Sequence, residues 1–162
     1  MSIRYVVGVS GGKDSVALLH LARAISPSIQ AYHIDSGAET EDTMAVINVI
    51  VKRFGVRIIK PELSIVEMAE MVGLWGHQER KLPGDNHWAA DQWKSILIQE
   101  PGKRLCEEHG FTAVLTGVRA DESRGRGMRS KVYGDSHTGK DGIAHIWPLD
   151  KWSGSDSLAY CC

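Results

Sequence analysis

Residues 8–15, Gly-Val-Ser-Gly-Gly-Lys-Asp-Ser, constrain this chain more than any other stretch. An apolar run, Tyr5-Val6-Val7, precedes them, and a helix-like apolar run, Val16-Ala17-Leu18-Leu19, follows. The order strand, glycine-rich turn, helix aims several backbone N–H groups at one spot, where the helix N-terminus adds partial positive charge. Gly11 and Gly12 tolerate positive φ and let a ligand approach the backbone closely. Ser10 and Ser15 supply hydroxyls, and Lys13 supplies a full positive charge. The set reads as a cradle for a polyphosphate or sulfate group. The plainer alternative is a strand-to-helix turn capped by Ser or Asp. Two other phosphate motifs are excluded: Lys13 is followed by Asp14 rather than Ser or Thr, and no Gly-x-Gly-x-x-Gly occurs at this turn.

The rest of the chain alternates strand-like and helix-like segments. Strands are expected at Ile3–Val9, Ile29–Ile34, Val56–Lys60, Thr112–Thr116 and Ala144–Trp147. Helices are expected at Asp14–Ile25, Glu39–Phe54, Ser64–Val72, Trp88–Ile98, Pro101–Glu108 and Ser155–Tyr160. Gly117–Gly142, polar and rich in Gly and Arg, reads as a long loop. Trp75–Trp93 reads as an excursion from the sheet and a candidate interface between copies of the chain. Repeated strand–helix–strand units imply an α/β fold with a parallel sheet and helices on both faces. Ligands in such sheets bind beyond the carboxyl ends of the strands. Ser10–Ser15, Asp35–Thr40 and Gly117–Arg126 all follow strands and are expected to meet at one rim.

The chain has 162 residues, which suits one domain covering 1–162. Its 19 basic and 20 acidic residues nearly cancel, so charge does not indicate nucleic-acid wrapping or an anionic membrane. No secretory signal precedes the first strand and no apolar run suits a bilayer span, so a cytoplasmic protein is expected. Three cysteines, Cys106, Cys161 and Cys162, are too few for a disulfide scaffold. No His-Glu-x-x-His or Cys-x-x-Cys spacing suggests zinc.

Three stretches now agree. Ser10–Ser15 resembles the PP-loop of the adenine-nucleotide alpha-hydrolase-like superfamily. His33-Ile34-Asp35-Ser36-Gly37-Ala38-Glu39-Thr40 resembles the Asp-x-Gly…Glu-Thr signature of the phosphoadenosine phosphosulfate (PAPS) reductase family. Gly117-Val118-Arg119-Ala120-Asp121-Glu122-Ser123-Arg124 resembles that family's Gly-x-Arg…Glu-Ser…Arg stretch. The resemblance implies a five-stranded parallel sheet with an adenine nucleotide, ATP or PAPS, across its rim. It implies that Ser10, Gly11, Gly12, Lys13, Asp14 and Ser15 hold the phosphates. Val7, Gly8, Val9, His33 and Ile34 would sit near the adenine and ribose, Asp35 and Ser36 would lie near the nucleotide at the end of the second strand, and Gly117, Arg119, Glu122, Ser123 and Arg124 would form the opposite wall. The final helix is short beside full-length relatives, which suggests a truncated or minimal member.

Cleaving ATP between the α and β phosphates leaves charge on pyrophosphate, which Lys13, Arg119 and Arg124 are placed to stabilise. Asp14 and Asp35 are candidate Mg²⁺ holders, with helix capping as the other use of Asp14. The Ser-Gly-Gly-Lys-Asp-Ser form resembles that of members activating a substrate with ATP, such as the small subunit of ATP sulfurylase. The Glu-Cys-Gly-x-His-like tail of true PAPS reductases is not present in this sequence. Adenylation of an acceptor is therefore expected, with sulfite-forming reduction of PAPS or adenylylsulfate as one alternative. A non-catalytic nucleotide-binding module in a nucleic-acid-processing complex is another.

Overall fold

A computed structural model describes residues 3–72 and 92–161. The expectations for Trp75–Asp91, including the start of the helix at Trp88, lie outside these residues. The described residues form strands β1 (Tyr5–Gly8), β2 (Gln30–Ile34), β3 (Arg57–Ile59), β4 (Ala113–Thr116), β5 (Ser136–Thr138) and β6 (Ala144–Ile146). The α-helices that place the site are α1 (Lys13–Ile25), α2 (Glu41–Phe54), α3 (Ile65–Val72), α4 (Glu100–His109), α5 (Arg124–Tyr133) and α6 (Gly154–Cys161). A π-helical turn, Ser95–Gln99, leads into α4.

The sheet order is β3-β2-β1-β4-β6-β5. β1 pairs parallel with β2, Val7 opposite Ala31, and with β4, Val7 opposite Leu115. The chain builds outward from β1 to β2 and β3, then returns to lay β4 and β6 on the other side. The β1/β4 boundary is thus the point where strand order reverses, the usual place for a ligand crevice.

Neighbouring residues of β1 and β2 are buried on opposite faces, as expected where helices cover both sides of a sheet. Val7, Val9 and Ala31 pack with Leu18 and Leu19 of α1 and with Ile47 and Ile50 of α2. Val6, Tyr32 and Val114 pack on the other face with Leu105 and Cys106 of α4. Met68 and Leu97 centre a third cluster, which Trp93 joins. Helix ends follow local chemistry. Thr40 caps α2 by accepting from Thr43 N at 3.3 Å, and Gly55 ends it with φ 63°.

Two expectations need correction. The sheet has six strands among the described residues, not five, and β5 runs antiparallel to β6. Ser136-His137-Thr138 is exposed on both faces, so no apolar alternation marks it as a strand. Gly117–Gly142 is also not a long loop, since it holds a 3₁₀ turn, Ala120–Glu122, then α5 and β5. Helix α5 buries no residue, so it lacks the apolar stripe that reveals a helix in sequence. Polar contacts set it instead: Ser123 Oγ accepts from Arg126 N at 3.2 Å, and Ser130 Oγ donates to Asp150 at 2.5 Å.

Candidate functional site

The turn between β1 and α1 is locked from within. Ser15 Oγ donates to the Gly12 carbonyl at 2.8 Å, and accepts from Ser10 N at 3.2 Å and Ser10 Oγ at 3.3 Å. The hydroxyl of Ser15 is therefore spent on the shape of the turn. Gly11 takes φ 84°, and a Cβ there would meet Ile47 Cδ1 at 2.8 Å. No side chain caps α1. Its first-turn N–H groups have no intrahelical partner by geometry, so they remain available to an anion.

Beside this turn, Gly117, the residue after β4, lies against the start of α1. A Cβ on Gly117 would lie 2.7 Å from the Asp14 carbonyl carbon and oxygen and 2.8 Å from Ser15 N. These are backbone atoms that cannot swing aside, so only glycine brings the strand exit this close.

A cleft of about 540 Å³ opens at the carboxyl ends of β1, β2 and β4. Of the residues proposed from sequence, Gly8, Val9, Ser10, Gly12, Asp14, Ser15, His33, Ile34, Gly117 and Glu122 line it. Tyr32, Glu39, Ile98, Thr116, Val118 and Arg126 complete the lining. Val7, Gly11, Lys13, Asp35, Ser36, Arg119, Ser123 and Arg124 are not among the lining residues. Tyr32 and Thr116 were legible as strand residues next to the matching motifs, and Glu39 lay inside one. Ile98 enters from the segment before α4, and nothing local in the sequence ties it to the rim.

The charged groups beside the cleft are largely engaged with each other. Arg119 is 5% exposed; its Nη1 donates to Asp14 Oδ1, and its Nε donates to Asp121 at 2.9 Å. Lys13 Nζ also reaches Asp14 at 3.2 Å. Burial opposes ionisation of Asp14. The polar surroundings made by Ser157, Lys13 and Arg119 outweigh it and hold this carboxyl below its ordinary value. Ser157 Oγ itself lies outside hydrogen-bond geometry with any partner. Glu122 follows the same pattern: burial opposes its charge, but the Arg119 N–H and the Arg126 guanidinium prevail and keep its carboxyl low. Arg129 donates to Asp150 at 2.7 Å and stacks 3.8 Å above the Trp147 ring. Arg124 opens α5 outside the lining.

The β2 side is different. Asp35 pairs with Lys60 at 3.4 Å and accepts from Gly37 N. Ser36 Oγ donates to Glu39 Oε1 at 2.8 Å. His33 is 4% exposed, and its Nδ1 lies 2.8 Å from the Val9 carbonyl. His33 Nε2 and Glu39 Oε2 are buried and have no hydrogen-bond partner among the described residues. Asp14 is paired with Arg119 and Lys13, and Asp35 is paired with Lys60 outside the cleft lining. No cluster of three or more His, Cys, Asp or Glu suited to a metal occurs among the described residues. Neither described cysteine lines the cleft. Cys106 is buried, and burial, with Asp141 and Glu107 nearby, pushes its thiol up to about 11. Cys161 Sγ lies 3.7 Å from the Lys13 carbonyl.

Among the described residues, no helix is long and apolar enough to cross a membrane. The fold is similar to that of a phosphoadenylyl-sulfate (PAPS) reductase from Candida auris, crystallised as a phosphate complex. The TM-score is 0.68 at 21% identity, covering 99% of this chain and 72% of that one. In sequence the chain is 28% identical over 162 residues to adenosine 5′-phosphosulfate reductase 2 of Bacillus subtilis, covering 97% of this chain and 62% of that protein. It is 24% identical over 183 residues to sulfate adenylyltransferase subunit 2 of a Mycobacterium species, covering 97% of this chain and 54% of that protein. The chain thus spans little more than half the length of these two curated relatives. Residues 4–162 match the phosphoadenosine phosphosulfate reductase domain, and the chain belongs to that family.

Proposed function

We propose that residues 1–162 act as one nucleotide-binding unit that splits ATP between its α and β phosphates, passing the adenylyl group to an acceptor. The observation that carries this reading is the unclaimed N-terminus of α1 at the mouth of the cleft, where strand order reverses. An acceptor oxygen attacks the α phosphorus, the bond from that phosphorus to the bridging oxygen breaks, and pyrophosphate departs with the electron pair. The first-turn N–H groups of α1 face the charge that develops on the departing group, with Lys13 beside them. Arg119 contributes from behind by fixing Asp14 and with it the helix start. Magnesium enters as part of the substrate, MgATP. The likeness to a sulfate adenylyltransferase subunit supports this chemistry, and the position of both described cysteines outside the cleft lining favours it over thiol-based reduction.

The test is pyrophosphate release from MgATP across a set of oxyanion acceptors, sulfate first. Lys13→Ala is expected to lower turnover about 10²-fold with the fold intact. Nucleotide binding with no turnover on any acceptor would instead favour a non-catalytic module. Reduction of a phosphosulfate is the second reading, and the contact of Cys161 with Lys13 is what favours it. Sulfite formation that disappears in a Cys161→Ser, Cys162→Ser double variant would establish that reading and overturn the first.

A further inference from the structure

The two unpartnered atoms on the β2 side limit which nucleotide fits. His33 Nδ1 faces the Val9 carbonyl, which can only accept, so Nδ1 carries the proton. With its proton on Nδ1, an imidazole presents Nε2 as a lone-pair acceptor. Glu39 receives the Ser36 hydroxyl on Oε1 and leaves Oε2 as a second acceptor. Both atoms are buried in residues that line the cleft, and a buried acceptor without a donor is costly.

Their position follows from the chain. Val9 immediately precedes the phosphate turn, and His33, whose Nδ1 lies 2.8 Å from the Val9 carbonyl, lines the same cleft as Ser10 and Gly12. The next part of a nucleotide after its 5′ phosphate is the sugar. Ile34, Ile98 and Val118 supply apolar lining for a base. The cation among the described lining residues is Arg126, which is paired with Glu122 on the β4 side. Among the described lining residues, the β2 wall therefore offers acceptors and no lysine or arginine.

We propose that His33 Nε2 and Glu39 Oε2 hold the sugar hydroxyls, and so select a nucleotide with a free 3′-hydroxyl over one bearing a 3′-phosphate. A hydroxyl donates to these acceptors; a phosphate brings negative charge and further acceptors against them. The inference rests on the reading that an adenine nucleotide fills the cleft. It separates ATP and adenosine 5′-phosphosulfate, which carry the free hydroxyl, from PAPS, which does not.

Calorimetric titration of the full chain with AMP, 3′-deoxy-AMP and adenosine 3′,5′-bisphosphate tests it. The bisphosphate is expected to bind about tenfold or more weakly than AMP, and 3′-deoxy-AMP several-fold more weakly, on the order of one lost hydrogen bond to a charged group. Glu39→Gln, whose amide can donate, is expected to shrink the bisphosphate penalty to about threefold or less. Bisphosphate binding equal to or tighter than AMP, or a penalty untouched in a folded Glu39→Gln variant, overturns the proposal while leaving the cleft reading standing. Failure of every adenine nucleotide to bind overturns both. The unmodified chain decides the ligand series on its own should the variant not fold.

Discussion

The two sides of the cleft are built from similar residue types and behave differently. After β4, charged groups find each other: Arg119 with Asp14 and Asp121, Arg126 with Glu122, and Arg129 with Asp150. After β2, His33 and Glu39, which line the cleft, each keep one buried polar atom without a partner among the described residues, whereas Arg129 Nε and Ser157 Oγ, also without one, lie outside the lining. Satisfied polar groups hold the scaffold, and unsatisfied ones that line a cleft mark where a ligand completes the structure. An arginine count therefore overstates how many cations are free for phosphate. Arg119 falls inside the matching motif, yet its guanidinium joins α1, the 3₁₀ turn and the edge of α6, where a Cβ on Gly154 would meet Nη2 at 3.3 Å.

The largest effect is expected from Arg119→Met. It removes a buried cation from Asp14, which keeps only Lys13, and from half-exposed Asp121, and is expected to cost about 3 kcal/mol in chemical denaturation. A loss below about 1 kcal/mol would erase the distinction between the two sides. Gly117→Ala comes next. Its Cβ meets backbone at 2.7 Å, and the expected loss is about 1–3 kcal/mol. Gly125 is the control, since nothing lies within 4 Å of a Cβ there. Gly125→Ala in the exposed helix α5 is expected to gain about 0.5–1 kcal/mol.

A pH titration sharpens the same contrast. The carboxyls of Asp14 and Glu122 are held below their ordinary values in the folded state, so their pairs stabilise the fold above the unfolded carboxylate range. That contribution is lost as pH falls through the folded values, below about 4. Stability measured from pH 5 downward is expected to fall more steeply in the parent chain than in Asp14→Asn, which has already lost its share. The smallest effect is expected from Arg124→Ala. This residue is outside the cleft lining, and its removal is expected to change stability by less than about 0.5 kcal/mol and nucleotide affinity by less than about twofold.

The legible parts of the molecule are those whose physics is local. The strand–turn–helix at Tyr5–Leu19 announced itself because apolar periodicity, glycine freedom and hydroxyl placement all fall within fifteen residues. Helix α2 was legible because Thr40 and Gly55 bracket it with capping chemistry. Helix α5 was not, since it owes its place to Asp150 and Trp147, which lie beyond it in the chain. The role of Arg119 was equally hidden. Its carboxylate partner in α1 lies 105 positions away, and spacing alone could not reveal that the charge was already answered. Asp14 and Asp35, the magnesium holders expected from sequence, likewise have cationic partners that spacing did not show, since Arg119 follows β4 and Lys60 follows β3. His33 was placed near the nucleotide from sequence, but its tautomer follows from the Val9 carbonyl across the β1–β2 pair.

The fit of Gly117 against the first turn of α1 leaves no gap into which either part can slide. Strand exit and helix start must travel together as a single stiff jaw. The opposite wall is tied differently: His33 Nδ1 lies 2.8 Å from the Val9 carbonyl and Asp35 N donates to the Ile59 carbonyl, so that wall is anchored to the sheet as far as Asp35 and turns at Gly37, whose φ is 80°.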